Sequence, residues 1–123
     1  MKRYAAAVSA VAASLLVAAS AGAVRSSVSL TVAPATVKPG HRVIIRGNAD
    51  GCSLGNAVTI ISHAFSNAHS FAGVPAVFAR VRTGGKFGIR PRIPATRHAG
   101  TYGVTARCGG GNLGVSAHIT VHP

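Results

Sequence analysis

The sequence predicts an all-β fold, a sandwich of seven short strands, on three observations. Apolar and polar residues alternate in seven separate runs, the period of a strand buried on one face. Gly, Pro, Asn and Asp punctuate those runs at intervals of roughly eight to twelve residues. No helical period occurs beyond the first two dozen residues. A small closed barrel has the same signature, and alternation by itself does not separate the two.

The beginning of the chain stands apart. Lys2 and Arg3 precede an uninterrupted run of Ala, Val, Leu and Ser over residues 5–18, and Ala21-Gly22-Ala23 is a small-x-small cleavage site. This predicts a secretory signal peptide over 1–23, cut after Ala23. The alternative is a retained anchor, because residues 5–24 are long enough to cross a bilayer. No further apolar run follows, so the processed part, 24–123, is expected to be one domain with no transmembrane segment.

The first strand is expected over 27–32, with Val28, Leu30 and Val32 facing in, and it stops at Pro34. After the Pro39-Gly40 turn, 41–47 carries Val43 and Ile45 on one face and Arg42, Ile44 and Arg46 on the other. Residues 48–56 are turn chemistry throughout and contain Cys52. A third strand, 57–63, turns Val58 and Ile60 inward, and 64–73 is a longer connection with Phe65, His69 and Phe71. Runs 74–82 and 86–93 flank Thr83-Gly84-Gly85 and predict a hairpin with a glycine turn. Pro91 cannot donate to a ladder, which puts the second arm at a sheet edge or breaks it there. Residues 100–108 turn Tyr102, Val104, Ala106 and Cys108 to one side, and with 113–121 they predict a second hairpin through Gly109-Gly110-Gly111-Asn112.

Charge is the strongest compositional signal. The chain has 13 Lys and Arg against one acid, Asp50, for a formal net charge of +12, and loss of Lys2 and Arg3 would leave +10. Such a balance repels itself and draws polyanions. The two cysteines, Cys52 and Cys108, form an even pair in a small exported domain, the setting of a disulfide.

Enzymatic readings fail on inventory, so no catalytic residue is expected. One carboxylate cannot supply the acid/base pair of glycoside chemistry. A Ser-His-Asp triad would depend on Asp50, which sits among turn residues, and oxidised cysteines leave no thiolate nucleophile. Alternating strand directions would gather His41, His63, His69, His98 and His122 at the pole away from the cysteines. Imidazoles can hold zinc, copper or nickel, but these five have no tight chelating spacing, and the simpler reading is solvated polar residues in loops. Neither metal nor cofactor is expected. If the 74–93 hairpin forms, Arg80, Arg82, Lys86, Arg90 and Arg92 project from one outer face and can neutralise spaced phosphates or carboxylates. The plain alternative is a charged surface that keeps an edge strand from pairing.

Several of these features occur together in a known family. Pro39-Gly40 before an apolar strand, Gly51-Cys52 in the next loop, the Gly85-Lys86-Phe87 arm, and Ala99-Gly100-Thr101-Tyr102 leading through Val104 and Ala106 to Cys108 resemble secreted bacterial immunoglobulin-like domains. The resemblance covers roughly residues 27–122. It implies an immunoglobulin-like β-sandwich with the bridge at one pole, from the loop after the second strand to the end of the sixth. Family members serve as adhesin modules, spacers and carbohydrate-binding accessories. No tryptophan is present, and Tyr102 stands six residues before Cys108 instead of two, so a tyrosine-corner role is not expected.

The expectation is therefore a secreted or envelope-associated, non-enzymatic module that binds anionic envelope or extracellular material through the basic face. An exported protein meets such polymers before it meets nucleic acid. A structural spacer with no ligand, and a small-molecule carrier using the sandwich crevice, are the alternatives.

Overall fold

A computed structural model describes residues 28–109 and 111–123. The leader expected over 1–23 lies outside the described residues. Those residues form nine strands in two sheets. The first sheet is antiparallel and takes β1 (Ser29–Ala33), β3 (Ile44–Asn48) and β7 (Lys86–Ile89) in the order β1-β3-β7. The second holds β2 (Thr36–Val37), β4 (Ala57–Ile61), β5 (Ser70–Phe71), β6 (Val74–Arg80), β8 (Gly100–Cys108) and β9 (Gly111–Val121), in the order β2-β9-β8-β4-β6-β5. Separate sheets make this a sandwich-like architecture and not one closed barrel.

Nine strands replace the seven expected because two short segments pair where turn chemistry dominates the sequence. β1 ends at a cis Ala33-Pro34 bond, and the chain steps across to the other sheet. There β2 lies parallel to the end of β9, with Thr36 opposite Thr120. β5 forms a hairpin with β6 through Ala72-Gly73, both at positive φ (52° and 86°), the backbone a two-residue turn requires.

The hairpin expected from 74–82 and 86–93 does not form. β6 pairs with β4 and β5, whereas β7 pairs with β3 in the other sheet. Thr83–Gly85 is a single 3-10 turn, closed by the Gly85 N–H on the Arg82 carbonyl (2.9 Å) and the Arg82 N–H on the Lys86 carbonyl (2.7 Å). The glycines that suit a hairpin loop suit a crossover equally well. What decides is the partner on each side: the Val81 N–H bonds to Asn56, while the Gly85 carbonyl accepts the Ala49 N–H beyond β3. Regular pairing of β7, the edge strand, stops at Ile89 before Pro91. It resumes only as an isolated Arg42–Arg92 bridge.

Between the sheets the inward residues of each strand form one core. Val43, Ile45, Phe87 and Ile93 from the first layer meet Val58, Ile60, Val104, Ala106, Ile119 and Val121 from the second, all essentially inaccessible. Each Val, Ile or Phe among them contributes roughly 1.5–3 kcal/mol over leaving it in water. Phe65, in the connection after β4, is also fully buried and closes one end of the sandwich. At the other end Cys52, in the loop after β3, is bonded to Cys108 at the end of β8 across a Cα–Cα distance of 6.0 Å.

Candidate anion-binding face

In β3 and β7 the alternation that buries one side exposes the other. Val43, Ile45, Phe87, Pro91 and Ile93 are buried and Ile89 is half-buried against the core, so the alternate residues lie on the outer side. The pairing aligns Ser29, Asn48 and Lys86 as one cross-strand row and Thr31, Arg46 and Gly88 as the next. Further along, Arg42 and Arg92 bridge, with the Arg42 guanidinium donating to the Arg90 carbonyl (2.8 Å). Arg82 enters from the crossover turn. Ser29, Thr31, Arg46, Gly47, Asn48, Arg82, Lys86 and Phe87 line a shallow basin of about 370 Å³ on this outer face.

Four of the five basic residues expected to act together, Arg82, Lys86, Arg90 and Arg92, thus belong to one exposed face of the first sheet. Arg80 does not join them. It is on β6 in the second sheet, paired opposite Ala57, and its guanidinium donates to the Gly55 carbonyl (2.8 Å). Arg42 and Arg46 take its place. Their outward period in 41–47 was visible in the sequence, but which strand neighbours 86–92 was not.

The six cations of this face divide by what their side chains hold. Arg42 donates to the Arg90 carbonyl and Arg92 to the Gly40 carbonyl, so both also fasten the irregular continuation of the β3–β7 pair. The charged ends of Arg46, Arg82, Lys86 and Arg90 make no hydrogen bond among the described residues. Asp50, the chain's one acid, is exposed in the turn after β3. At most one of these cations can be neutralised by a carboxylate side chain of the chain itself.

The other expected groupings take different forms. His41, His63, His69, His98 and His122 occupy segments leaving the strands at the end away from the disulfide. Among the described residues, however, no group of three or more His, Cys, Asp or Glu is placed to hold a metal ion. His69 instead meets Phe78 edge to face on the outside of the second sheet (5.6 Å), and the Arg107 guanidinium lies 5.0 Å from the centre of the Phe71 ring. Arg97 is structural: its guanidinium donates to the carbonyls of Ala64 (3.3 Å) and Phe65 (2.7 Å). Tyr102 is a correction. Its hydroxyl donates to the His98 carbonyl four residues back (2.6 Å), the contact of a tyrosine corner. That contact depends on the tyrosine standing where the chain enters the second sheet, not on its distance from a cysteine.

No family model matches the chain, and no curated protein matches it in sequence. Among solved structures it is similar to part of E. coli alpha-2-macroglobulin (TM-score 0.53, 17% identity), covering 76% of this chain and 6% of that one. It is also similar to macromomycin (TM-score 0.51, 14% identity), covering 76% of this chain and 97% of that one. Likeness at this identity concerns the fold alone. No helix among the described residues is long and apolar enough to cross a membrane.

Proposed function

We propose that the chain is an exported, non-enzymatic β-sandwich module of the bacterial immunoglobulin-like type that binds anionic polymers of the envelope or extracellular space. The binding face is the outer side of the first sheet, with Arg42, Arg46, Arg82, Lys86, Arg90 and Arg92. One observation carries the reading: six exposed cations share one sheet face in a chain with a single acid. An open face with cations two or four residues apart along its strands, about 7 to 13 Å, suits a polymer of repeating anions. The immunoglobulin-like assignment is supported by β2 running parallel to β9 and by the Tyr102 contact. Export is supported by the leader signature and by the disulfide.

The test is retention on immobilised polyphosphate as a function of salt. Replacing Arg46, Arg82 and Arg90 by serine should weaken binding and reduce the slope of log affinity against log salt by roughly two to three. The control replaces Lys38, Arg80 and Arg107, removing the same charge from elsewhere, and should leave most of the slope. Equal losses in both variants would show that the protein is merely basic and has no dedicated face.

A further inference from the structure

The basic face is not uniform. At its centre Gly88 carries no side chain, and two arginines share the space above it. A Cβ at position 88 would stand 3.7 Å from Cγ of Arg46 and 3.8 Å from Nη2 of Arg82. Lys86 and Ser29 border the same basin, and Asp50 is not among its lining residues. The stem of Arg46 and the guanidinium of Arg82 thus border one space, and the positive charges around the basin disfavour one another unless an anion offsets them.

The neutral groups around the basin are largely committed within the protein. The Thr31 hydroxyl donates to the Arg46 carbonyl (3.3 Å), and the Asn48 side-chain amide donates to the Gly84 carbonyl (2.9 Å). Ser29 differs: its Oγ accepts the Asn48 backbone N–H (3.1 Å), which leaves its own O–H to donate. The Oδ1 of Asn48 has no hydrogen-bond partner but is itself buried, so the solvent-facing side-chain groups left for a ligand are donors: two guanidiniums, one ammonium and one hydroxyl.

We propose that this basin seats a phosphate monoester group, held by Arg46, Arg82, Lys86 and Ser29. The proposal rests on the polyanion reading of the face and adds which anion the centre of the face selects. Two guanidinium forks, an ammonium and a hydroxyl offer about six donors, whereas a carboxylate has about four acceptor sites on two oxygens. A phosphate monoester presents three terminal oxygens and a charge of about −1.5 to −2 at neutral pH. That matches three cations more closely than the single charge of a carboxylate or a sulfate ester.

The experiment titrates the protein with inorganic phosphate, methyl sulfate and acetate at constant ionic strength, following backbone and arginine side-chain NMR signals. Phosphate should bind about tenfold more tightly than either competitor. Its shifts should be confined to residues 29–31, 46–48 and 82–88. Arg82→Gln and Ser29→Ala should each weaken phosphate at least about fivefold, and Lys38→Gln, outside the face, should not. The Arg82 side chain holds nothing among the described residues, so its variant tests the basin independently of folding. Phosphate binding no tighter than acetate, or shifts spread equally over Arg42, Arg90 and Arg92, overturns the subsite. If salt-sensitive retention on polyphosphate persists in that case, the subsite alone falls. If retention is also missing, the reading of the whole face falls with it.

Discussion

With a single carboxylate in the chain, the arginines have few anionic partners, and several hold backbone carbonyls instead. Arg80 bonds to Gly55, Arg42 to Arg90, Arg92 to Gly40, and Arg97 to both Ala64 and Phe65. A guanidinium offers several donors in a rigid plane, so it can fasten a strand end or loop where an ammonium would hold one point. That divides the basic residues into those that hold the fold and those that leave charge available, a division invisible in a count of Lys and Arg. Tyr102 belongs with the first group. Removing its hydroxyl in Tyr102→Phe should cost about 1 kcal/mol, since the ring still packs but the bond to His98 is lost. Urea denaturation checks this, and an unchanged midpoint would mean that the corner contact contributes nothing to stability.

At the scale of strands, the close packing of β1, β3 and β7 depends on Gly47. It faces the core between Leu30 and Phe87, and a Cβ there would meet the Ser29 carbonyl oxygen at 2.2 Å and Cζ of Phe87 at 2.5 Å. The ring of Phe87 occupies the space that a side chain at 47 would need. Because one obstacle is backbone, Gly47→Ala should destabilise by on the order of 3 kcal/mol or force β1 away from β3. Gly103 in β8 is the contrast: nothing stands within 4 Å of a Cβ there and its φ is not positive. Gly103→Ala should be neutral or stabilise by up to about 1 kcal/mol by restricting the unfolded chain. Equal effects at the two positions would refute the packing argument. The same first sheet carries the proposed binding face, so disruption at Gly47 should also weaken polyanion retention, while Gly103→Ala should not.

For the molecule as a whole, the bridge from Cys52 to Cys108 closes a sequence separation of 56 residues and ties the loop after β3 to the end of β8. Chain-entropy arithmetic gives about 4 kcal/mol as an upper figure for such a closure. Reduction should lower stability by roughly 2–4 kcal/mol, read from thermal melts with and without reductant. Thiol counting under denaturing conditions should find none in the oxidised protein, and two free thiols would remove the bridge from the account. Each strand of four residues or more overlaps a run whose alternation is legible, because which side chains face the core is a local property of period two. The excess positive charge and the pairing of two cysteines were legible for a similar reason, since inventory alone constrains them. Strand neighbours were not. The turn at Thr83–Gly85 fits a hairpin and a crossover equally, and only the partners waiting on either side, Asn56 for Val81 and Ala49 for Gly85, send β6 and β7 to different sheets. That choice, made by contacts remote in sequence, removed Arg80 from the basic face and put Arg42 and Arg46 beside Lys86. It also brought two arginines over Gly88, because a periodic pattern dictates a residue's face but tertiary pairing decides whose side chain stands next to it.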